Sequence, residues 1–108
     1  METQECNGWT NRETWATMLH INNDPALYEI AMEYARQEIE EYGEQALYEL
    51  AQTIQNWIEE DLLTRENIAG NEGLWLMLSD IGSLYRVEWR EIAESLMETV
   101  INKKKVTA

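Results

Sequence analysis

The clearest helix signal in the chain is the stretch EWREIAESLMETVI, residues 88–101. Its apolar residues recur three and four positions apart, which places them on one side of a helix and the charged residues on the other. These apolar positions are Trp89, Ile92, Ala93, Leu96, Met97, Val100 and Ile101. We expect Asn102 and the lysines at 103–105 to end this helix, because cations are favourable at a helix C-terminus.

Two earlier helices are predicted from their capping signals. Thr10 and Glu13 have the spacing of a capping box, which predicts a helix from about residue 11. Asp24 followed by Pro25 predicts the start of a second helix, since Asp caps well and proline is tolerated at the first helical position. Gly43 is expected to close it, and a tight turn there would make the second and third helices antiparallel.

The remaining elements complete an all-α bundle of about five helices. A third helix is expected over residues 44–62, and residues 64–73 indicate a loop with about one helical turn. The fourth helix, residues 72–82, is apolar on almost every side, so we place it at the centre of the bundle. Trp75 and Trp89 are therefore both predicted to be buried. No stretch alternates with a period of two, so no sheet is expected.

At 108 residues the chain is expected to be a single helical domain, residues 1–108. Residues 1–9 are predicted to form a flexible tail and residues 103–108 a basic tail. Trp9 either packs back on the bundle or is an exposed anchor, and packing is favoured. Cys6 is the only cysteine, which favours a reducing, cytoplasmic setting. We expect no signal peptide, because the N-terminus is acidic and lacks an apolar stretch, and no membrane segment, because no run of apolar residues approaches ~20.

Charge is the strongest functional feature of the sequence. The chain has 21 acidic and eight basic residues, a net charge of −13. Residues 1–102 contain no lysine and five arginines beside all 21 acids, which leaves that part at −16. Such a surface repels nucleic acids and anionic membranes and attracts basic proteins. We therefore expect no direct nucleic-acid binding and no membrane binding.

Residue patterns for catalysis and metal binding are missing from the sequence. His20 is the only histidine and has no Glu-x-x-His partner, so zinc and di-iron sites are not expected. Residues 70–73 lack the Lys and Ser/Thr of a phosphate-binding loop. We therefore predict no catalytic residues, no metal and no cofactor, and an enzyme is the least favoured class.

Two acidic groups are the candidate partner-binding residues. The first lies around the junction of the second and third helices: Glu38, Glu40, Glu41 and Glu44. The second lies at the end of the third helix: Glu59, Glu60 and Asp61. An antiparallel turn at Gly43 would separate the groups by ~22–26 Å along the third helix. Carboxylates in such a row can occupy phosphate positions in a DNA-binding cleft. A purely solubilising acidic surface and weak divalent-cation binding are the alternatives.

Two stretches of the chain resemble a family of small proteins encoded by bacteriophages, plasmids and some prokaryotic genomes. The first is Asn11-Arg12-Glu13-Thr14-Trp15, followed by Asn22-Asn23-Asp24 and Leu27-Tyr28. The second is VEWREIA at residues 87–93. The resemblance implies a mobile-element origin and no particular reaction. Within the motif, Trp15 is expected in the core and Arg12 to pair with a neighbouring acid.

Together these features favour a small acidic accessory protein of a phage or plasmid. It would bind and inhibit a nucleic-acid-binding host protein as a DNA mimic, of the anti-restriction or anti-CRISPR kind. Its expected partner is a basic host protein, such as a nuclease or a CRISPR component. The alternative is a non-catalytic structural, oligomerisation or adaptor module of a mobile element, and a homodimer is compatible with either. An oligomerisation module would need an exposed apolar patch of several hundred Å².

Overall fold

A computed structural model describes residues 7–107, and this part of the chain is helical with no β-strand. The helices are α1 (Arg12–Asn23), α2 (Pro25–Tyr42), α3 (Ala46–Asn56), α4 (Arg65–Ala69), α5 (Glu72–Ile81) and α6 (Trp89–Thr107). A 3₁₀ turn (Gly43–Gln45) joins α2 to α3, and a π-helix (Trp57–Leu62) extends α3. A second 3₁₀ turn (Leu84–Arg86) precedes α6. The predicted all-α bundle is confirmed, with α4 as the single turn expected between residues 64 and 73.

The second helix begins and ends where its sequence signals predict. The Asp24 side chain accepts hydrogen bonds from the backbone amides of Ala26 at 2.9 Å and Leu27 at 3.2 Å. At the other end, Gly43 has φ +59° and ψ −127°, a conformation that strains residues with a Cβ. The chain reverses at this glycine, and α2 packs against α3.

The centre of the bundle is formed by α2, α3 and α6. Helix α3 packs most extensively against α6, and α2 contacts both. The predicted stripe of α6 is buried at Trp89, Ile92, Ala93, Leu96 and Val100. Trp57, at the start of the π-helix, lies 5.8 Å from Tyr34 of α2, measured between ring centroids. These contacts join the three helices around one apolar core.

Helix α5 lies at the edge of the bundle, so the prediction that it is central is wrong. It packs mainly against α1 and α4. Met77 and Ile81 face the core, whereas Trp75 is 54% exposed and Leu76 47% exposed. The prediction that Trp75 is buried is wrong for the same reason. A helix that is apolar all round still has an outer face when it has neighbours on one side only.

The chain ends also differ in part from the expectation. Helix α6 continues to Thr107, so Asn102 and Lys103 do not end it. Trp9 is partly buried against the core, which confirms packing over exposure for this residue. Cys6 and the rest of residues 1–6 lie outside the described residues, as do the side chains of Lys104 and Lys105. No described helix is long and apolar enough to cross a membrane.

Candidate protein-binding surface

The first acidic group surrounds the reversal of the chain at Gly43. Glu40 and Glu41 are exposed in the last turn of α2, and Glu44 is exposed in the 3₁₀ turn that follows. Glu38 lies one turn earlier and is half-buried. The structure therefore brings these four carboxylates together at one corner of the bundle.

The carboxylates at this corner repel one another, and residues outside the predicted group take part. Burial and the nearby carboxylates of Glu41 and Glu49 raise the pKa of Glu38 above its ordinary value. Glu41 and Glu49, together with burial and Glu38, also raise the pKa of the Tyr42 hydroxyl. Glu49 belongs to α3 and meets α2 because the helices are antiparallel. Aligning the sequences of α2 and α3 as antiparallel helices on either side of Gly43 would have identified Glu49 as a neighbour of this group.

The second acidic group lies in the π-helix at the far end of α3. Glu60 and Asp61 are exposed, and the half-buried Glu59 accepts a hydrogen bond from Gln55 Nε2 at 3.1 Å. The Leu63 amide donates to the Ile58 carbonyl at 2.9 Å, five residues back, as a π-helical turn requires. The sequence predicted a continuous α-helix here, and no sequence signal marked the change.

The structure keeps the two groups apart, at opposite ends of the α3 segment. Within the described part of the chain, none of the seven carboxylates forms an ion pair; the ion pairs there involve other acids, at Glu13, Glu29, Glu33 and Asp80. Arg36 pairs with Glu29 and Glu33, and the Arg36 hydrogen bond and charge lower the pKa of Glu33. Uncompensated negative charge is therefore concentrated at both ends of α3.

The motif at residues 11–15 has a structural role. Asn11, rather than Thr10, caps α1: its Oδ1 accepts from the Thr14 amide at 2.8 Å and from Thr14 Oγ1 at 2.7 Å. The predicted capping box is wrong, because Thr10 and Glu13 find partners distant in sequence. The Thr10 amide donates to Glu91 Oε1 at 2.8 Å, and Glu13 pairs with Arg86 at 3.3 Å.

The two stretches that carry the resemblance meet in space through this motif. Asn11 Nδ2 donates to the Arg86 carbonyl at 2.8 Å, and the Glu88 amide donates to Thr14 Oγ1 at 2.9 Å. Arg12 donates to the backbone carbonyl of Asp80 instead of an acidic side chain, contrary to the expected ion pair. This network joins the start of α1 to the segment that leads into α6.

The single histidine contacts an acidic side chain near the surface of the bundle. His20 Nε2 lies 2.7 Å from Asp80 Oδ2 beside a surface pocket of about 290 Å³. Among residues 7–107 no group of three or more His, Cys, Asp or Glu side chains could hold a metal ion. No buried side-chain polar atom lacks a hydrogen-bond partner within the same range.

Comparison with known proteins identifies a family but no activity. No curated protein and no solved structure matches the chain. A family model described as a family of unknown function, DUF7249, matches residues 2–102. The match covers both stretches of the polar network and both acidic groups. The chain therefore belongs to the DUF7249 family of unknown function.

Proposed function

We propose that this protein is a small acidic phage- or plasmid-type accessory protein that acts in the cytoplasm. It binds a basic, nucleic-acid-binding host protein, such as a nuclease or CRISPR component, and occupies the site that would hold DNA or RNA. One observation carries the proposal: seven carboxylates without ion-pair partners among the described residues stand in two groups at the ends of one helical segment.

The spacing of the two groups suits a surface that binds phosphate groups. The segment from Glu44 to Asp61 rises ~26 Å at ~1.5 Å per residue. One DNA strand carries about seven to eight phosphates over that length, at one per ~3.4 Å. The carboxylates are concentrated at the two ends of the segment. They therefore resemble two separate clusters of phosphates more closely than the evenly spaced phosphates of a continuous DNA strand. Packing of α3 between α2 and α6 keeps the clusters apart at a constant distance.

The repulsion at the Gly43 corner also supports a cationic partner. Like charges held close together cost free energy, which a bound cation would recover. Lys or Arg side chains of a partner would lower the pKa of Glu38 on binding, because they favour the ionised carboxyl. Association should be fast and should weaken with salt, since the Debye length is ~8 Å at 0.15 M.

Charge reversal at the two groups tests this function. The variant Glu40→Lys, Glu41→Lys, Glu60→Lys changes exposed residues from both groups. A matched control, Glu66→Lys, Glu72→Lys, Glu88→Lys, makes the same change in net charge at exposed positions elsewhere. Each tagged protein is used to capture host proteins at 0.05 M and 0.3 M salt, and captured proteins are assayed for DNA binding.

We expect the wild-type and control proteins to capture the same partner at low salt and to inhibit its DNA binding. The test variant should fail to capture it while retaining the helical circular dichroism spectrum, since exposed charges contribute little to stability. Equal capture by test and control variants would contradict the proposal. Capture of a partner whose DNA binding is unaffected would refute the mimicry part of it.

The exposed face of α5 favours a second candidate function, a non-catalytic oligomerisation or adaptor module. Trp75 and Leu76 are adjacent and about half exposed, and aromatic side chains often anchor protein interfaces. Sedimentation velocity tests this function across a concentration series. If the face is a homodimer interface, Trp75→Ser should shift the protein to monomer, whereas Tyr85→Ser, at an 85% exposed aromatic residue, should not. A wild-type protein that is monomeric throughout would exclude a homodimer.

A further inference from the structure

A shallow apolar groove runs between α3 and α6, and Glu44 is the one residue of the two acidic groups that lines it. Two adjoining depressions of about 320 Å³ and 410 Å³ share Leu47 as a lining residue. Ala51 faces Arg90 in the first, and Leu47 lies with Met97 and Ile101 in the second, so the two helices are antiparallel along the groove. We call this surface, lined by Leu47, Tyr48, Ala51, Met97 and Ile101, the α3–α6 groove.

The floor of the groove is accessible and apolar. Tyr48 is 69% exposed and Ile101 42% exposed, while Leu47 and Met97 are partly buried against the core. These side chains are accordingly part of the core on one side and open to a ligand on the other. Methionine is unbranched and flexible, so Met97 can adjust to the shape of an inserted side chain.

The rim of the groove carries carboxylates at one end and an arginine at the other. Glu44, Glu94 and Glu98 line the larger depression, whereas Arg90 lines the smaller one. None of these four residues forms an ion pair with another residue in the described part of the chain. An apolar floor bordered by three carboxylates at one end complements a ligand that is apolar on one face and cationic beside it.

The length of the groove indicates what kind of segment fits. From Arg90 to Ile101 helix α6 rises ~16 Å, which is the length of an α-helix of about eleven residues. Helix-in-groove recognition uses apolar side chains at positions i, i+3 or i+4, and i+7 of such a helix. A second copy of this chain is disfavoured as the occupant, because each copy carries a net charge of −13.

We propose that the α3–α6 groove binds a basic amphipathic helix of a partner protein, about three turns long. Its apolar side chains pack on Leu47, Met97 and Ile101, and its Lys or Arg side chains lie against Glu94 and Glu98. This inference goes beyond the proposed function, because the groove shares only Glu44 with the two acidic groups and its binding requires no mimicry of nucleic acid. Binding in the groove would let an acidic protein of this kind distinguish one basic partner from another, which long-range charge attraction alone does not do.

A synthetic helical peptide is the probe for this groove. A 14-residue Leu/Lys peptide with apolar residues at helical spacing is compared with a scrambled peptide of the same composition, at 0.15 M salt. Affinity is measured by fluorescence anisotropy, and the site is mapped by amide chemical shifts of the ¹⁵N-labelled protein. We expect the amphipathic peptide to bind at least tenfold more tightly than the scrambled peptide, with shift changes centred on Leu47, Met97 and Ile101.

Variants distinguish a specific groove from general attraction to an acidic surface. The pair Met97→Ser, Ile101→Ser should weaken peptide binding at least tenfold, and Glu94→Gln, Glu98→Gln should weaken it at least fivefold. A control with the same change in charge, Glu66→Gln, Glu88→Gln, should change it less than twofold. The Glu94 and Glu98 variant keeps the apolar floor intact, so it tests the proposal even if the floor variant folds poorly.

Any of three peptide results would overturn the proposal: no binding of the amphipathic peptide, equal binding of the scrambled peptide, or equal weakening by the control variant. Formation of a dimer that Ile101→Ser dissociates would assign the groove to a second copy and would also overturn it. The variant Glu40→Lys, Glu41→Lys, Glu60→Lys should leave peptide binding within threefold of wild type. Failure of the groove is therefore distinguishable from failure of the proposed mimicry.

Discussion

Replacing Asn11 with alanine should destabilise the protein far more than removing an ordinary helix cap. Asn11 is 7% exposed and its side chain makes three hydrogen bonds, with the Thr14 amide, Thr14 Oγ1 and the Arg86 carbonyl. Loss of the cap itself costs ~1 kcal/mol. The substitution also removes the donor to the part-buried Arg86 carbonyl and the acceptor of the buried Thr14 hydroxyl. Each of these losses lowers the free energy of unfolding by ~1 kcal/mol or more. The expected loss is therefore ~3 kcal/mol.

Asn71 provides the matched control for this substitution. It caps α5 through one hydrogen bond, from the Leu74 amide at 3.1 Å, and it is exposed. Asn71→Ala should cost only ~1 kcal/mol. Urea unfolding followed by circular dichroism measures both variants, and the slope with urea should stay equal to that of the wild type. If Asn11→Ala costs no more than Asn71→Ala, the bonds to Arg86 and Thr14 do not stabilise the fold, and the structural reading of the motif fails.

Three further predictions follow from burial, charge and backbone conformation. Trp89→Ala should cost ~3–5 kcal/mol in thermal melts, because Trp89 is only 8% exposed. Trp75→Ala should cost about half as much, ~2 kcal/mol, because Trp75 is 54% exposed. Equal losses would contradict the placement of α5. The raised pKa of Glu38 means that ionised Glu38 opposes folding, so stability should rise as pH falls through its folded-state pKa. Glu38→Gln should therefore stabilise the protein at pH 7 and lose this advantage in acid. A stabilisation that does not change with pH would refute the argument. Gly43→Ala should lower the free energy of unfolding in urea by ~1–3 kcal/mol, because φ is +59° at this position. The control Gly70→Ala should be nearly neutral, because φ is −106° there.

Local signals predicted the helices well because their causes lie within a few residues. The Asp24 side chain caps α2 through amides two and three positions away, and the Gly43 turn depends on the conformation of one residue. The α6 stripe is likewise set by residues three and four apart. The prediction of about five helices rested on such short-range patterns, and the structure confirms it.

Predictions failed where a distant partner decided the outcome. Thr10 and Glu13 have capping-box spacing, but Glu91 and Arg86 supply their hydrogen bond and ion pair from the other end of the chain. The apolar run of α5 shows that the helix is apolar but cannot show that its neighbours lie on one side only. The same limit applies to Glu49, which joins the Gly43 corner through packing of two helices.

The polar network at the start of α1 also determines where function should be sought. Asn11, Thr14 and the Arg86–Glu88 backbone direct their hydrogen bonds toward each other, and Asn11 and Thr14 are buried. A partner cannot contact these groups without disrupting the fold, so the role of the motif in this chain is structural. Under the proposals above, recognition would use accessible side chains outside the motif that form no ion pair within the described residues. The two acidic groups at the ends of the α3 segment and the rim of the α3–α6 groove offer such side chains, and the variants above separate their contributions.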